Sequence, residues 1–538
     1  MSSRSVARRS AMVAVGALAM GGLATLPVLS ASATSDSPAA VAATGAVAPA
    51  AKTKKPTPKK TTITTKKCAT KKKNGAVTCK TIKKTVKVRP TGPSSTTTKP
   101  TDPSSTTTKP TGPITTAPAE SHVENPFVGS KGYVNPEWSA KAKKDGAPAS
   151  IYNQPTAIWL DRIAAIEGTA NSQSNGPMGV EDHLDAALQQ SGGERTRVMF
   201  VVYDLPGRDC AALSSNGELK ATEIDRYKTE YIDAISKYVN SPKYASLRIV
   251  LIIEPDSLPN LTTNQSMPNC ATMISNGNYE KGVAYALEKL TSTSNVYTYV
   301  DAGHHGWLGW DTNLGPAAKK FADVAKMTAK GVSSVDGFIV NTANYSALEE
   351  PYLNPVTKMI GSDPLRKSKF LDWNFFSDEK TFALGLKSEL EKNGFGSGLG
   401  MLIDTSRNGW GGAKRPKAAS TSTNVDTYAE ESRMDRRIHV GNWCNQAGAG
   451  LGERPTAAPA AGIDAYVWVK PPGESDGSSK FIPNDEGRGF DGMCDPTYTG
   501  NTLNQNHMSG ALPDAPLAGA WFSAQFKELL ANAYPAVS

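Results

Sequence analysis

Residues 248–258 read Arg-Ile-Val-Leu-Ile-Ile-Glu-Pro-Asp-Ser-Leu, an aliphatic run that stops at two acids. Five aliphatic residues without polar alternation are typical of a strand that is buried on both faces of a parallel sheet. Pro255 cannot donate to a sheet ladder, so the strand ends there. The carboxylates of Glu254 and Asp256 therefore lie at the carboxyl edge of the sheet, where parallel α/β folds build their sites. A competing interpretation is that Asp256 or Ser257 caps a following helix or turn.

Six further apolar runs also end in an acid, an amide or an aromatic residue. They are 156–161, 197–209, 295–304, 338–344, 400–404 and 466–476. Helix caps would explain two or three such endings, whereas seven indicate one polar cleft at the carboxyl edge of a closed parallel sheet. Helical patterns follow most of the runs, at 180–190, 222–239, 279–290, 316–327, 378–392 and 517–534. This alternation predicts an α/β barrel or a doubly wound sheet.

The charge of the chain is divided between a basic start and a mildly acidic remainder. The 538 residues carry 59 Lys and Arg against 50 Asp and Glu, a formal net charge of +9. Residues 1–120 contain 20 of the basic residues and only 3 of the acidic ones. The remaining chain is therefore acidic, which argues against nucleic-acid binding. Its length suits one barrel with appended segments.

The start of the chain has the features of a secretory signal peptide. Arg4, Arg8 and Arg9 precede an apolar run over 11–29, and Ala-Ser-Ala at 31–33 offers a small-residue cleavage site. We therefore expect a signal peptide over 1–33, an extracellular protein and no stable membrane insertion. A retained anchor is the alternative, because the run is nearly long enough to span a bilayer, but Pro27 interrupts it.

Residues 34–120 form a low-complexity tail. Its segment 51–90 holds 15 Lys and Arg and no acid, and a four-residue loop at 72–75 would set Cys68 opposite Cys79 across a short hairpin. This segment is either a solvated basic linker or a tether to anionic cell wall or substrate. A ten-residue Pro/Thr repeat over 91–118 predicts a stiff spacer. Because 1–120 contain no Phe, Trp or Tyr, we expect no aromatic carbohydrate-binding module there.

Four motifs carry a resemblance to a known family. Tyr-Asp-Leu-Pro-Gly-Arg-Asp-Cys at 203–210 and Ile-Ile-Glu-Pro-Asp-Ser at 252–257 resemble the two signatures of glycoside hydrolase family 6, the inverting cellulases. The segments 301–310 and 470–476 are similar to that family too. The resemblance extends over about 125–534 and implies a distorted seven-stranded parallel β/α barrel with its active site at the strands' carboxyl ends. It implies a catalytic domain over 121–538, cellulose or cello-oligosaccharides as substrate, and no cofactor.

The resemblance also implies catalytic roles. Asp256 matches the general acid, which must stay protonated near neutral pH through burial or a nearby negative charge. Asp209 matches the residue that helps to keep the acid protonated, and Tyr203 the ring that presses the sugar out of its chair. The base is either Asp476 or a water chain held by Asp209 and Ser215. Both accounts give inversion, with the carboxyls about 6.5–9.5 Å apart.

Sugar contacts are expected from rings and polar groups at the strand ends. A flat ring offers a large apolar contact to the face of a sugar, and we assign this role to Trp159, Trp307, Trp310 and Trp443. Trp373, Trp468 and Trp521 are expected to pack in the core. The expected hydrogen-bonding residues are Asp161, His304, Asn344, Lys470 and Glu474. Asp161, Asp301 and Asp404 are alternatively structural acids.

The six cysteines are expected to form disulfides, because an even count follows a secretion signal. The residues alone allow 15 pairings. The resemblance implies Cys210–Cys270 and Cys444–Cys494. A disulfide between Cys68 and Cys79 would hold the basic hairpin together, but whether these two pair is left open. No metal site is expected, since neither a CxxC pair nor a Cys/His ligand spacing occurs.

Three long runs without a clear helix or strand, 345–366, 409–427 and 470–517, follow strand ends and are predicted to cover the cleft. Cys494 would fasten the longest run to Cys444. Covering loops make a tunnel, which admits a glucan chain only from its end, and within the family such long loops resemble those of the bacterial exo-acting cellobiohydrolases. The resemblance therefore implies an exocellulase that releases mainly cellobiose from the non-reducing end, and we expect it to be a monomer. An endo-acting β-1,4-glucanase of the same family is the alternative. A non-catalytic carbohydrate-binding protein is disfavoured because all the candidate acids are present, and a different barrel hydrolase because no metal-ligand or Ser/His pattern occurs.

Overall fold

The computed structural model describes residues 117–168 and 176–538, and the backbone of 60–70 and 77–87. The chain divides into two compact units, Met1–Thr108 and Lys109–Ser538. In the first unit, Lys60–Thr70 and Val77–Lys87 pair antiparallel with Cys68 opposite Cys79, the register expected for the basic hairpin. The signal peptide and the Pro/Thr repeat lie outside the described residues.

The second unit begins before the predicted boundary after residue 120. Glu120 forms ion pairs with Arg195 and Arg248 at 2.6 and 2.7 Å, and both arginines belong to this unit. His122 likewise contacts Asp336 at 2.7 Å. These contacts join Glu120 and His122 to this unit, and the division after residue 120 stays a prediction.

Seven parallel strands form the sheet of this unit. They are β1 (Ile158–Leu160), β2 (Thr196–Val202), β3 (Leu247–Ile253), β4 (Val296–Asp301), β5 (Gly337–Val340), β6 (Gly400–Asp404) and β7 (Ile463–Val467). Each strand pairs with the next one along the chain. Lys131–Gly132 adds to the edge of β2, and Thr456–Ala460 pairs antiparallel with β7. All seven runs predicted from the sequence are strands, and the predicted parallel α/β architecture is confirmed.

The sheet curls into an incompletely closed barrel. Among the described residues no strand ladder joins β1 to β7. A backbone hydrogen bond from Ala157 N to Trp468 O, 3.0 Å long, connects the residues next to these two strands. This gap in the ladder is the distortion that the family resemblance implied.

Both faces of the sheet are buried, as the unbroken aliphatic run of β3 predicted. Ile249, Leu251 and Ile253 pack in the outer core, while Val250 and Ile252 point into the barrel. The outer core is covered by helices, among them Val180–Ser191, Asp233–Val239, Pro268–Asn276, Asn278–Leu290, Asp311–Ala325 and Glu379–Lys392. The helix Ser523–Ala531 packs instead in a separate cluster with Trp138 and Trp410. A π-helical turn, Tyr227–Ile232, precedes Asp233–Val239. None of the described helices combines the length and the apolar character that a membrane crossing requires.

The tryptophans expected in the core divide into three cases. Trp468 is fully buried, as predicted. Trp521 is partly buried, packs against Phe526 and donates to Asp145. Trp373 is 47% exposed, so its assignment to the core is wrong. Its backbone has a φ of +65°, in the left-handed region that residues with side chains seldom adopt.

Candidate active site

A cavity of about 510 Å³ opens at the carboxyl ends of the strands. Every residue predicted to act in catalysis or substrate binding lies in its wall: Trp159, Asp161, Tyr203, Asp209, Ser215, Asp256, His304, Trp307, Trp310, Asn344, Trp443, Lys470, Glu474 and Asp476. These residues come from segments more than 300 positions apart in the chain. The parallel sheet brings them together because all of its strands end at the same edge.

Asp256 follows β3 in a left-handed backbone conformation, with φ of +59°. The helix Ser257–Thr263 begins directly after it, but the Asp256 side chain makes no capping hydrogen bond, and Ser257 Oγ donates to Glu254 O at 2.7 Å. The Asp256 N–H donates to Asp301 Oδ1 at 3.0 Å. Burial, and then the negative charges of Asp301 and Asp209, raise the pKa of Asp256 well above its usual range. The carboxyl can therefore carry the proton that a general acid needs.

Asp209 lies at the centre of a second group, formed after β2. The Tyr203 hydroxyl donates to Asp209 Oδ2 in a short hydrogen bond, and Ser215 lies beside it in the cavity wall. Burial raises the pKa of Asp209, while Ser215 and the hydrogen bond of Tyr203 oppose that rise. The Arg208 guanidinium lies 4.2 Å from the centre of the Tyr203 ring. Asp209 and Tyr203 thus form a hydrogen-bonded pair at the cavity wall, with Ser215 next to them.

Asp476 is held by a buried ion pair. Arg407 Nη1 donates to both carboxylate oxygens, at 2.8 and 2.9 Å. Asp476 Oδ2 also accepts from Tyr345 Oη at 2.6 Å and from Asn445 N at 2.8 Å. Arg407 is fully buried and Asp476 nearly so. The carboxylate therefore accepts four hydrogen bonds, and its position is fixed by charge and geometry.

The indole N–H of three cavity tryptophans is bonded to protein. Trp159 Nε1 donates to Val469 O at 2.8 Å, Trp307 Nε1 to Thr263 Oγ1 at 2.7 Å and Trp310 Nε1 to Asp372 O at 2.8 Å. Trp443 instead packs against the Cys444–Cys494 disulfide. A ring whose edge is anchored keeps its orientation and leaves its faces for apolar contact.

The predicted hydrogen-bonding residues differ in their charge state and in the contacts that they already make within the protein. Burial lowers the pKa of His304 well below its usual range, so its imidazole is neutral. Burial raises the pKa of Glu474 to about 7. Lys470 Nζ donates to Ser475 O at 3.1 Å and lies 5.1 Å from the centre of the Trp159 ring. Asn344 Oδ1 accepts from Arg437 at 2.9 Å.

Two of the ambiguous acids are bound by the protein itself. Asp161 pairs with Arg162 and Arg488. Asp404 is buried and accepts backbone N–H groups, including those of Lys470 at 3.0 Å and Ser406 at 3.0 Å. Asp404 therefore joins the ends of β6 and β7, which makes it a structural acid.

A family model described as glycosyl hydrolases family 6 matches residues 127–533. The chain belongs to this family. Exoglucanase A of Cellulomonas fimi is 50% identical over 438 residues, which are 78% of this chain and 49% of that protein, so this chain spans about half the length of that relative. The resemblance drawn from the four motifs is thereby confirmed.

Two solved structures of the family are similar in fold to this chain. The catalytic domain of Cellulomonas fimi Cel6B is 49% identical, with a TM-score of 0.74, and the match covers 78% of this chain and 97% of that one. Cellobiohydrolase II (Cel6A) from Humicola insolens, in complex with glucose and cellotetraose, is 29% identical. Its TM-score is 0.58, and the match covers 77% of this chain and 99% of that one.

Both disulfides that the family resemblance implied are present. Cys210–Cys270 joins the segment after Asp209 to the helix Pro268–Asn276. Cys444–Cys494 fastens the long segment after β7 beside Trp443. Among the described residues no group of three or more His, Cys, Asp or Glu is placed to hold a metal ion.

Only one of the three long runs covers the family 6 cavity as predicted. The run after β7 supplies its wall from Lys470 to Gly519. No residue of 345–366 or 409–427 lies in that wall, and several of them line a separate cavity instead. The prediction that all three runs cover the cleft is therefore wrong for these two. The helix Val425–Ser432 and the short strand Gly409–Trp410 also give the second run regular structure.

Sequence reasoning missed the arginines that hold the site's acids. Arg407 is 69 positions from its partner Asp476, and Arg488 is 327 from Asp161. Neither arginine lies in one of the four motifs. Their partners become apparent only when the strand ends are brought together.

Proposed function

We propose that this chain is a secreted, inverting, exo-acting glycoside hydrolase that cleaves the β-1,4-glucosidic bonds of cellulose and releases mainly cellobiose from the non-reducing end. The observation that carries the proposal is Asp256, a carboxyl with a strongly raised pKa in a cavity walled by four tryptophans. A protonated carboxyl supplies the acid that bond cleavage needs. The rings supply a surface for a chain of sugar units.

In the proposed reaction, Asp256 gives its proton to the glycosidic oxygen as the bond to the anomeric carbon breaks. Water attacks that carbon from the opposite face and loses a proton, so the configuration inverts. Tyr203, fixed by its hydrogen bond to Asp209, borders the sugar at the cleavage point. After product release, Asp256 regains a proton from solvent.

The proton lost by the attacking water passes either to Asp476 as a direct base, or away from the site through a water chain that Asp209 and Ser215 hold. The four hydrogen bonds that Asp476 accepts favour the water chain, because few lone pairs of Asp476 are left for a water. Asp209 and Ser215 both line the cavity, where their carboxylate and hydroxyl can bind the water chain.

Exo attack is supported by the segment after β7. It supplies a large part of the cavity wall, and the Cys444–Cys494 disulfide and the pairs of Arg488 with Asp161 and of Arg162 with Glu486 fasten it. Because this segment is held over the cavity at several points, it restricts entry to the ends of a glucan chain. Cellulomonas fimi exoglucanase A is named for such attack.

The exo proposal is tested by comparing viscosity loss with new reducing ends on carboxymethylcellulose. We expect little viscosity loss for each reducing end formed. A rapid drop in viscosity with few new ends would establish the endo-acting alternative. Substrate class is tested in parallel by reducing-sugar release from cellulose, xylan and mannan, where we expect release from cellulose alone.

The partners and location follow from the same proposal. The protein acts as an extracellular monomer on cellulose or cello-oligosaccharides. Its basic segment 51–90 is either a plain linker or a tether to anionic cell wall. Binding of the chain to anionic cell-wall polymer at low and high salt distinguishes these, since a tether of this kind releases as salt rises.

A further inference from the structure

An exposed aromatic pair lies beside the mouth of the cavity. The side chains of Trp373 and Phe375 are 47% and 37% exposed. The guanidinium of Arg366 lies 5.4 Å from the Trp373 ring centre and 4.1 Å from that of Phe375. Two rings held open to solvent by a stacked cation make a surface with apolar faces and hydrogen-bond donors between them.

The turn that carries the pair is attached to the cavity wall. Its residue Asp372 accepts the indole N–H of Trp310 at 2.8 Å through the backbone oxygen. Phe375 N donates to Gly309 O at 3.2 Å. Asn374 Nδ2 donates to His305 O at 2.9 Å. The turn is thus fixed to the segment that bears Trp307 and Trp310.

The same turn also contacts the long segment after β7. Gln505 Nε2 donates to Asp372 Oδ2 at 3.1 Å, and the neighbouring Leu503 and Asn504 line the cavity. Asp372 therefore lies between two parts of the cavity wall. The aromatic pair continues that wall outward.

The turn has an unusual backbone. Asp372 and Trp373 have φ of +45° and +65°, a region that residues with side chains seldom adopt. Such conformations persist where the surroundings hold them. The contacts of Asp372, Asn374 and Phe375 with the cavity wall hold this turn, and Trp373 stays exposed on it.

We propose that Trp373, Phe375 and Arg366 form a platform for the β-1,4-glucan chain outside Trp310, before the chain enters the cavity. This inference rests on the proposed function, because the occupant is the chain that the active site consumes. The flat faces of glucosyl units stack on rings, and Arg366 donates hydrogen bonds to their hydroxyls. Continuity with Trp310 selects this occupant over a protein partner.

The basic tail does not offer the contact that the platform supplies. Residues 1–120 contain no Phe, Trp or Tyr, so they offer no ring on which cellulose could stack. Trp373 and Phe375 are exposed rings of the second unit, and the turn that carries them is bonded to Trp310 in the cavity wall.

The test compares a short and a long substrate in the full chain. Trp373→Ala and the double variant Trp373→Ala/Phe375→Ala are assayed on cellotetraose, on insoluble cellulose, and by adsorption to cellulose in the cold. We expect adsorption, and hydrolysis of cellulose at low enzyme load, to fall about threefold to tenfold. The loss is confined to the long substrate, because the platform lies outside the cavity.

Tyr534→Ala is the matched control. Tyr534 is 46% exposed and its ring lies 3.8 Å from the Arg415 guanidinium, but it lines the separate cavity. This variant should adsorb to cellulose like the wild type. Platform variants that adsorb and hydrolyse cellulose like Tyr534→Ala would overturn the platform, as would an equal loss on cellotetraose. A wild type inactive on both substrates would instead overturn the proposed function, and the platform with it.

Discussion

Substitution of Asp476 is expected to lower the stability of the protein far more than its catalytic rate. In Asp476→Asn the shape of the side chain remains but its charge is lost. Arg407, fully buried and bonded to both carboxylate oxygens at 2.8 and 2.9 Å, then has no counter-ion at that position. Breaking one half of a buried ion pair costs about 3–5 kcal/mol of stability. We therefore expect a clear fall in the unfolding temperature.

The catalytic effect of the same substitution depends on the route of the proton. A direct base contributes about 10²–10⁴-fold to the rate. Asp476 already accepts hydrogen bonds from Arg407, Tyr345 and Asn445, so we expect the proton to leave through the water chain. The kcat of Asp476→Asn should then stay within about tenfold of wild type. Asp209→Ala and Ser215→Ala, which break the chain, should each slow hydrolysis more strongly.

The assay measures kcat on saturating cellohexaose well below the unfolding temperature, together with calorimetric unfolding. The double variant Arg407→Leu/Asp476→Asn is the control, since removing both charges should recover much of the lost stability. A loss of kcat above about 100-fold, restored by azide in Asp476→Ala, would establish Asp476 as the direct base and refute the water chain.

Three further predictions follow from the acids and the domain boundary. Asp256→Asn should lower kcat on cellulose about 10²–10⁴-fold while the unfolding temperature holds, because the side chain has acidic neighbours and no cation to leave unpaired; a loss below tenfold would remove Asp256 from the acid role. Asp301→Asn removes one of the negative charges that raise the pKa of Asp256, so Asp256 loses its proton at a lower pH. The basic limb of the kcat/KM profile should therefore move to lower pH. An unmoved limb would show that the charge of Asp301 does not act on Asp256. Deleting 34–116 should leave cellohexaose turnover unchanged. Deleting 34–120 also removes the ion pairs of Glu120 with Arg195 and Arg248 and should lower the unfolding temperature. Equal unfolding temperatures of the two deletion variants would show that Glu120 does not stabilise the second unit.

The sheet could be predicted from the sequence because its signal is local. Residues 249–253 have no polar position, and a strand covered on both faces is what such a run requires. The same reasoning located all seven strands, and the polar residue after each one marked the cavity edge. The helix Asp311–Ala325 shows the limit, since it begins five residues before the predicted start and contains Pro316 within its first turns.

What the sequence could not supply depends on contacts between distant segments. Arg407 and Arg488 carry no local signal, because an isolated arginine does not reveal which acid it will meet. The runs 345–366 and 409–427 follow strand ends like the long run after β7, yet neither supplies a residue to the cavity wall. A lone tryptophan usually packs in the core, but Trp373 lies exposed on a turn. A sequence pattern does not show which surface turn the folded chain leaves uncovered.

Backbone strain links the rigid sheet to the chemistry at its edge. Asp209, Glu254, Asp256, Asn341 and Ala343 all have positive φ, and all lie just after β2, β3 or β5. At about 1–3 kcal/mol each, these conformations would relax in a loosely packed loop. They persist because the strands before them are buried on both faces and cannot shift. The strained turns aim Asp256 and Asp209 into one cavity, where burial and then the negative charges of Asp301 and Asp209 raise the pKa of Asp256. The apolar run of β3 is therefore a condition for the acid's reactivity, since a mobile strand end would let the two carboxyls separate and Asp256 ionise.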